Sequence, residues 1–453
     1  MKKVIAIVLC LVLVFSATSV FASAPRGGGI ITDGQSLIWV DAFNKQILRD
    51  TGDKTEVIAG KVGPVGLDGE PIGIYKDGTN AEAGFAQPYD AALFMGGIAV
   101  SDRGSNTVRL IKDGSVKTLI PENGGLKMPA GLAVKDNVLY IADTGNNRIV
   151  TIDEKGKVAV FADGIGSPMG IDFDGDILYV CATDFNQIYK VEKGKVALFC
   201  GKAIKDDDEY MGGYVNGPLA LAEFDHPQGL FIKDGVIYVA DTGNKAVRII
   251  KNGKVSTVVD DTDAGYLLSI PIDITILGDK IYVSDQLNNA LESFATEVKF
   301  SDVSADQLAV VNNALYYRLI KGFGDGSLKP AGYLTRAEFV TMLSRAGLFM
   351  DGQTVINGDH SFPDVAATDW YSKQIGWAVA QGLMKGSLRN DGSIIADANS
   401  YLKASEVYFF ATRYAEQLGV SAKAFDSFKD QSRYVTRYEA ISALVTLLAE
   451  AGY

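Results

Sequence analysis

Three carboxylates have the type and position best suited to metal chemistry. Asp90 and Asp273 each stand near the start of a short apolar segment, and Asp172 lies within a third such segment. If these segments approach one axis, the carboxylates can bind a hard cation such as Ca²⁺ through their oxygen atoms. The alternative, which we favour, is that they cap strand-start amides or stay hydrated in a channel. We therefore predict no required cofactor, and Ca²⁺ as the metal to test.

Histidines are too few for the common catalytic sets. The chain has two, His226 and His360, far apart in the sequence. A Ser-His-Asp set needs a histidine beside its nucleophile, and a catalytic zinc site needs several nitrogen or sulfur ligands. His226 precedes a proline at a position that recurs along the chain, so we expect it to pack or to cap. No residue is predicted to be catalytic, which favours a binding protein over an enzyme.

A recurring strand–turn–strand hairpin is the element that must position these residues. In residues 139–149, an alternating apolar run stops at Asp143, passes through Thr-Gly-Asn-Asn and resumes at Ile149. β-Branched and aromatic residues suit a strand, whereas Gly, Asn and Asp suit a turn. Near-copies occupy residues 237–247 and 281–291. Because a turn leaves backbone N–H groups unpaired, we expect Asp143 and Asn146 to bond locally and to serve the scaffold.

Alignment on this aspartate defines six units of four short antiparallel strands. Repeats at intervals of roughly forty to sixty residues are typical of a radial β-propeller, whose ring covers the sheet edges. In this register Cys181 and Cys200 lie two strands apart, roughly 9–10 Å at the usual spacing, which is too far for a disulfide. The aligned positions are Asp41, Asp102, Asp143, Ala182, Asp241 and Asp285. Twelve residues before them stand, in the same order, Gly29, Asp90, Gly131, Gly170, Gly229 and Asp273.

Two long connections hold polar and aromatic residues that the repeat does not explain. Residues 60–87 join units 1 and 2, and residues 201–226 join units 4 and 5, on opposite sides of a ring of six. In a four-strand meander they emerge on the same face as the Asp turns, and loops on a rigid scaffold often carry function. The alternative is that they are packing loops whose phenylalanines fill the gap between units. The candidates for a binding face around the channel mouth are Tyr75, Tyr210, Tyr214, Asp206, Asp207 and Asp208.

The hairpin sequence Tyr-Val-Ala-Asp-Thr-Gly-Asn at residues 238–244 resembles the NHL repeat. The resemblance covers about residues 27–298 and agrees in six registers, although unit 4 has Ala182 in place of the aspartate. It implies an all-β, six-bladed propeller of the NHL type over residues 25–299. Some propellers related to NHL proteins are zinc lyases that need several histidines, and the single His226 of this region excludes that chemistry.

Helical periodicity replaces strand alternation near Phe300, with apolar residues at positions 308, 311, 315 and 319 on one face. Residues 300–303, the turn-rich loop 322–330 and the Thr-Arg-Ala-Glu sequence at 335–338 resemble an S-layer homology (SLH) module. A second copy starts at Phe362, and a third starts at Phe428 without room for its first helix. The resemblance implies an all-α region with SLH modules at 300–350, 360–420 and, truncated, 426–453.

SLH modules, by this resemblance, bind anionic polymers of the cell wall. The cationic positions at or near the motif are Arg336, Lys403 and Arg437. A guanidinium group forks well onto carboxylates such as those of pyruvyl ketals, and Trp370 offers a flat face for a sugar. The alternatives are helix-cap ion pairs for the arginines and core packing for the tryptophan. We favour polymer binding for Arg336 and Arg437, and packing for Trp370.

The N terminus has the features of an export signal. Lys2 and Lys3 precede an apolar run over residues 4–14, and small residues at 22–24 offer a cleavage site, so residues 1–24 are predicted to be a signal peptide. No later apolar run approaches the length of a membrane span, so we expect no transmembrane segment in the mature chain. The formal net charge is −12, and an acidic chain repels phosphate backbones, so no nucleic-acid partner is expected.

These predictions lead to one main functional hypothesis and two alternatives. In the main hypothesis the protein is secreted and associated with the cell wall or S-layer. Its SLH region binds cell-wall polysaccharide, and its propeller face binds an unknown extracellular ligand or protein. The first alternative is a metal-dependent propeller enzyme, similar to a lactonase or lyase, that uses Asp90, Asp172 and Asp273. The second is a structural component of an S-layer.

Overall fold

A computed structural model of the chain describes residues 27–67, 69–206, 209–260, 268–286, 291–295, 300–323, 326–351, 358–429 and 431–451. The predicted signal peptide, residues 1–24, lies outside the described residues. Among the residues that are described, no helix is both long and apolar enough to cross a membrane.

Six antiparallel sheets follow one another along the first part of the chain, and in each the meander strands pair in sequence order. Sheet 1 contains Gly27–Thr32, Leu37–Asp41, Gln46–Asp50 and Thr55–Ala59. Sheet 2 contains Pro88–Phe94, Gly97–Asp102, Thr107–Lys112 and Ser115–Ile120. Sheet 3 contains Pro129–Lys135, Val138–Asp143, Arg148–Asp153 and Val158–Asp163. Sheet 4 contains Pro168–Asp174, Ile177–Ala182, Gln187–Glu192 and Lys195–Cys200. Sheet 5 contains Pro227–Lys233, Val236–Asp241, Ala246–Lys251 and Lys254–Asp260, and sheet 6 contains Pro271–Leu277, Lys280–Asp285 and Leu291–Ala295.

This arrangement is a β-propeller, and it differs from the prediction in its last sheet. Five sheets have the expected four meander strands, whereas sheet 6 has three among the described residues, and residues 296–299 lie outside them. Sheets 6 and 1 are neighbours, because the Ser284 hydroxyl donates to the carbonyl oxygen of Gly28. The buried apolar residues lie mainly between adjacent sheets, as expected when strands with period two present alternate side chains to each neighbour.

The recurring hairpin joins each sheet to its surroundings. Asp143 accepts hydrogen bonds from the backbone N–H of Lys127 at 2.7 Å and from the side-chain amide of Asn146 at 2.8 Å. Thr144, in a short 3₁₀ turn, donates to the carbonyl oxygen of Pro168, the first residue of sheet 4, at 2.7 Å. The turn sequence and the recurring proline are therefore parts of one contact between sheets.

Cys181 and Cys200 are buried and free of a disulfide, as predicted. They lie on the second and fourth strands of sheet 4.

The C-terminal region is mainly helical, with α1 at Leu308–Tyr316, α2 at Arg336–Asp351, α3 at Ser372–Ala380, α4 at Ala404–Leu418 and α5 at Arg437–Glu450. The prediction of an all-α region is wrong in one respect, since Ser387–Leu388 pairs with Ile394–Ile395 as a short hairpin. Helix α3 packs on α2, and α1 packs on α5. A 3₁₀ segment, Lys423–Phe428, packs on α4 and α5.

Candidate functional sites

The aspartates of the propeller channel join neighbouring sheets. Asp90 of sheet 2 accepts a hydrogen bond from the backbone N–H of Leu132 in sheet 3 at 2.7 Å, and its other oxygen accepts from Ala91. The three aspartates belong to sheets 2, 4 and 6, so alternate sheets are tied to the next one in the ring. The equivalent bonds are those of Asp172 with Ile232 of sheet 5 (2.7 Å) and of Asp273 with Ile30 of sheet 1 (2.9 Å).

Glycines of the preceding sheets leave the space that two of these carboxylates occupy. A Cβ atom at Gly29 would overlap the Asp90 carboxylate, and a Cβ atom at Gly229 would lie 2.5 Å from the Cα atom of Asp273. A glycine before each of these two aspartates is therefore a packing requirement near the axis.

Burial raises the pKa of all three aspartates. The pKa of Asp90 rises from 3.8 to about 7 and that of Asp172 to about 6, although backbone N–H groups lower both. Burial, together with the charge of Asp90, raises the pKa of Asp273 well above its ordinary value. The charge of Asp172 also raises the pKa of Asp90 and of Asp273.

The hydrogen bonds of these aspartates match the alternative of strand-start capping. Each carboxylate already binds backbone N–H groups, and within the described part of the chain no three His, Cys, Asp or Glu residues are grouped so that they can hold a metal ion. Ca²⁺ binding by Asp90, Asp172 and Asp273 stays a prediction.

The two long connections extend along the outer edges of sheets 2 and 5. Gly78–Thr79 pairs with the outermost strand of sheet 2, and Gly217–Pro218 pairs with that of sheet 5, so each sheet gains a fifth strand. These segments thus lie away from the channel mouth, contrary to our expectation of two flaps around it. Only the ends of the connections, next to Pro88 and Pro227, return to the axis.

Tyr75 covers a fully buried arginine in the first connection. Its ring centre lies 4.9 Å from the guanidinium carbon of Arg109, and the Phe85 ring lies 5.4 Å from that atom. The Tyr75 hydroxyl shares a hydrogen bond with Thr118 at 3.1 Å. The terminal nitrogens of Arg109 donate to Asp77 and to the carbonyl oxygens of Lys76 and Gly84.

Tyr214 repeats this arrangement in the second connection. Its ring lies 4.6 Å from the guanidinium carbon of Arg248, and the Phe224 ring lies 5.1 Å from it. Arg248 is fully buried and pairs with the equally buried Asp241. Both tyrosines therefore match the alternative of packing loops rather than that of a ligand-binding face.

The remaining candidates of the second connection lie in a small hairpin, Ile204–Asp206 with Glu209–Met211. The ring of Tyr210 contacts Phe185 at 4.9 Å between centres, and Lys205 lies over it at 4.5 Å. Only the backbone of Asp206 is described, and Asp207 and Asp208 lie outside the described residues.

The channel mouth contains a cavity that the sequence did not identify. Its volume is about 130 Å³, and sheets 1, 2, 5 and 6 contribute to its walls. Arg103, which directly follows the anchor aspartate of sheet 2, lies with its guanidinium carbon 4.8 Å from the ring centre of Tyr89. Tyr89 in turn donates its hydroxyl proton to Gln228 in sheet 5 at 2.9 Å. A cationic residue immediately after the anchor aspartate, present in this unit alone among the six, was the signal in the sequence.

A larger cleft of about 580 Å³ lies at the strand turns of sheets 2 and 3, beside sheet 1. Arg49 and Asn80 give it polar groups, while Ile58, Leu93 and Met95 give it apolar walls. Arg49 is directed to Asp33 at 3.5 Å, and Lys112 donates to the carbonyl oxygen of Met95, so its cations already have partners.

Arg336 and Arg437 connect helices of the three predicted modules. Arg336 in α2 donates to Glu406 in α4, and Arg437 in α5 donates to Glu338 in α2. Their side chains are only 12% and 8% exposed. Ala404 stands at the equivalent position of the second module, where no such ion pair can form. The geometry therefore places both arginines in ion pairs at the starts of helices, the alternative that we did not favour.

Trp370 and Lys403 are the exposed members of the predicted wall-binding set. Trp370 is 62% exposed and meets Tyr371 edge to face, so it does not pack in the core. Lys403 is exposed at the start of α4.

Three half-exposed tyrosines, one from each module, form a cluster that the sequence did not predict. The ring centres of Tyr333, Tyr401 and Tyr434 lie 5.5–5.9 Å apart. β-Bridges link the three segments in a cycle, so the cluster marks the axis of the helical region. These bridges are Tyr333 with Thr436, Thr335 with Tyr401, and Lys403 with Tyr434.

Comparisons with known families agree with this geometry. The NHL repeat model matches residues 126–152, which span the hairpin of sheet 3, and the S-layer homology domain model matches residues 299–340. The chain contains an NHL repeat and an S-layer homology domain.

Relatives of known identity match only parts of this NHL- and SLH-containing chain. Human teneurin-4 is 25% identical over 56% of the chain, and the match spans 11% of teneurin-4. NHL repeat-containing protein 2 of Bos taurus is 30% identical over 24% of the chain and 21% of its own length. Among solved structures, an auxiliary nutrient binding protein from Bacteroides ovatus is 17% identical, covers 60% of this chain and 69% of its own, and superposes with a TM-score of 0.46.

Proposed function

We propose that this protein is a secreted cell-surface binding protein whose SLH region holds it to cell-wall polymer while its propeller presents a binding face. The observation that carries the proposal is the S-layer homology match at residues 299–340, within a helical region where β-bridges link three segments. S-layer homology domains generally bind cell-wall polymers. The signal-like N terminus supports export.

The exposed groups, rather than the buried arginines, are the proposed contacts with the polymer. Trp370 and the tyrosine cluster give flat aromatic faces with polar edges, and Lys403 gives a cation for an anionic polymer. Arg336 and Arg437 act by positioning, because each holds one module against another. We also propose that sheet 6 completes a ring of six blades, which the hydrogen bonds from sheet 1 to Asp273 and from Ser284 to sheet 1 support.

Cosedimentation of the full chain with purified cell-wall sacculi tests the proposal. We expect the chain to bind intact sacculi and to lose binding after the secondary polymer is extracted. Trp370→Ala should lower the bound fraction several-fold. Phe409→Ala is the matched control, since Phe409 is 51% exposed but stacks on Arg413 within α4. A wild-type chain that stays in the supernatant, under conditions where a known wall-binding protein sediments, refutes the anchoring role.

A further inference from the structure

The cavity at the channel mouth differs from the other arginine sites of the propeller in having an uncommitted guanidinium group. Arg109 and Arg248 direct their terminal nitrogens at carboxylates and carbonyl oxygens. Arg103 makes no side-chain hydrogen bond or ion pair with the described residues, and its Nε atom is buried without a partner. Its backbone N–H is fixed by the carbonyl oxygen of Gln87 at 2.9 Å. The side chain is therefore held at the cavity with its donors unused.

Residues from opposite sides of the ring hold this guanidinium group in place. The Tyr89 ring lies beneath it at 4.8 Å, which is a favourable cation–π distance. The Tyr89 hydroxyl spans from sheet 2 to Gln228 in sheet 5 and uses the acceptor oxygen of that amide. The amide N–H groups of Gln228 are left to donate, and Gln87 and Gln286 are also among the residues that line the cavity.

We infer that this cavity is a binding site for a small monocarboxylate, with Arg103 as its cation and the glutamine amides as further donors. A planar guanidinium fork matches a carboxylate with two parallel hydrogen bonds. Because a water molecule occupies about 30 Å³ in the liquid, a cavity of about 130 Å³ has room for an acid of two or three carbon atoms.

The lining of the cavity favours a monoanion over a phosphate dianion. Arg103 is the one cationic side chain among the residues that line it. A second negative charge on the ligand would therefore lack a cation and would cost desolvation free energy. The inference rests on the function proposed above, since it names the ligand class of the propeller face.

The test is a titration of the full chain with sodium acetate, sodium lactate or inorganic phosphate at constant ionic strength. Ligand-observed NMR measures the binding. We expect saturable binding of acetate and lactate, and weaker binding of phosphate. Arg103→Lys keeps the charge but loses the fork, so the affinity should fall at least about tenfold. Arg49→Lys is the matched control at the other cleft and should bind as the wild type does.

A second variant tests the site without removing its arginine. Gln228→Glu still accepts the Tyr89 hydroxyl but brings a negative charge to the cavity, so carboxylate binding should be lost. Equal affinity of Arg103→Lys and the wild type, or no saturable binding of acetate or lactate, overturns the inference. Tighter binding of phosphate than of acetate and lactate contradicts the assignment of the ligand as a carboxylate. If the wild-type chain binds no carboxylate but still sediments with sacculi, this site alone is refuted, whereas failure of the wild-type chain to bind sacculi refutes the proposed function.

Discussion

The propeller and the helical region both place repeated units around an axis, but charged groups contribute differently to the contacts between those units. In the propeller, buried side chains bond to the backbone of the next sheet, as Thr144 does to Pro168 and Asp90 to Leu132. In the helical region, backbone β-bridges link the segments, and ion pairs with a partly exposed carboxylate, such as that of Arg437 with Glu338, add to them. Buried hydrogen bonds are little affected by salt, whereas exposed charges are screened. We therefore expect added salt to weaken the contacts between units in the helical region more than those between sheets in the propeller.

The largest loss of stability is expected when the buried ion pair of Arg248 with Asp241 in the propeller is broken. Arg248→Met leaves Asp241 buried without its cation, so the free energy of unfolding should fall by about 3–5 kcal/mol. The control is Arg148→Met, because Arg148 is 28% exposed whereas Arg248 is fully buried, and each partner aspartate keeps two other donors. Its loss should be about 1 kcal/mol or less. Urea unfolding measures both, and equal losses would contradict the assignment of Arg248 as a buried structural charge.

The channel aspartates should make propeller stability depend on pH. The pKa of Asp90 is about 7 in the folded chain and near 3.8 in the unfolded chain. Between these values the folded state binds the extra proton, so the stability that this proton gives is complete below about pH 4, decreases as pH rises and is lost above about pH 7. Asp90→Asn removes this titration, and the decrease between pH 5 and 8 should shrink by on the order of 1–3 kcal/mol.

Asp33→Asn is the control for this pH dependence. The pKa of Asp33 is lowered overall, since hydrogen bonds from Ser36 and Gln35 outweigh a desolvation that raises it. Its contribution to stability therefore changes only as pH falls below the ordinary carboxylate range, and the decrease between pH 5 and 8 should remain. If stability decreases equally between pH 5 and 8 in the wild type and in Asp90→Asn, titration of Asp90 is not the cause of the decrease.

The helical region should respond to salt where the propeller does not. Arg437→Met breaks the ion pair with Glu338 between the third and first modules, and should cost about 1–2 kcal/mol at low ionic strength. The cost should decrease in high salt, because 23% of the Glu338 side chain is exposed. Scanning calorimetry at two salt concentrations measures it. Arg433→Met is the control, since that pair lies within one module and is more exposed.

The smallest expected effect is that of one neutral contact between sheets. Thr144→Val keeps the shape of the side chain but removes its hydrogen bond to Pro168, so stability should fall by about 1 kcal/mol at any salt concentration. Thr151→Val, at a partly exposed position in the same sheet, should change stability by less than about 0.5 kcal/mol. If the loss of stability in Thr144→Val depended on salt, the proposed difference in salt dependence between the propeller and the helical region would be wrong.

The sequence predicted those features that depend on neighbouring residues. The Asp-Thr-Gly-Asn turn and the strands of period two gave the hairpins, their register and the propeller class, because local backbone chemistry decides them. It did not predict the course of the long connections along sheets 2 and 5, or the short β-hairpin inside the helical region. Those depend on which sheet edge or helix face is left open after folding.

The residues at the candidate sites show the same division. The sequence by itself determined that Arg103, Arg109, Arg248, Arg336 and Arg437 are permanent cations at set positions of two repeats. Only the tertiary structure decided that four of them are neutralised and that Arg103 keeps its donors at the channel mouth. Arg437 meets a carboxylate 99 residues away, and Arg109 meets one 32 residues away. Because such partners come from distant segments, packing of the whole chain, rather than local pattern, determines whether a charge serves the scaffold or a ligand.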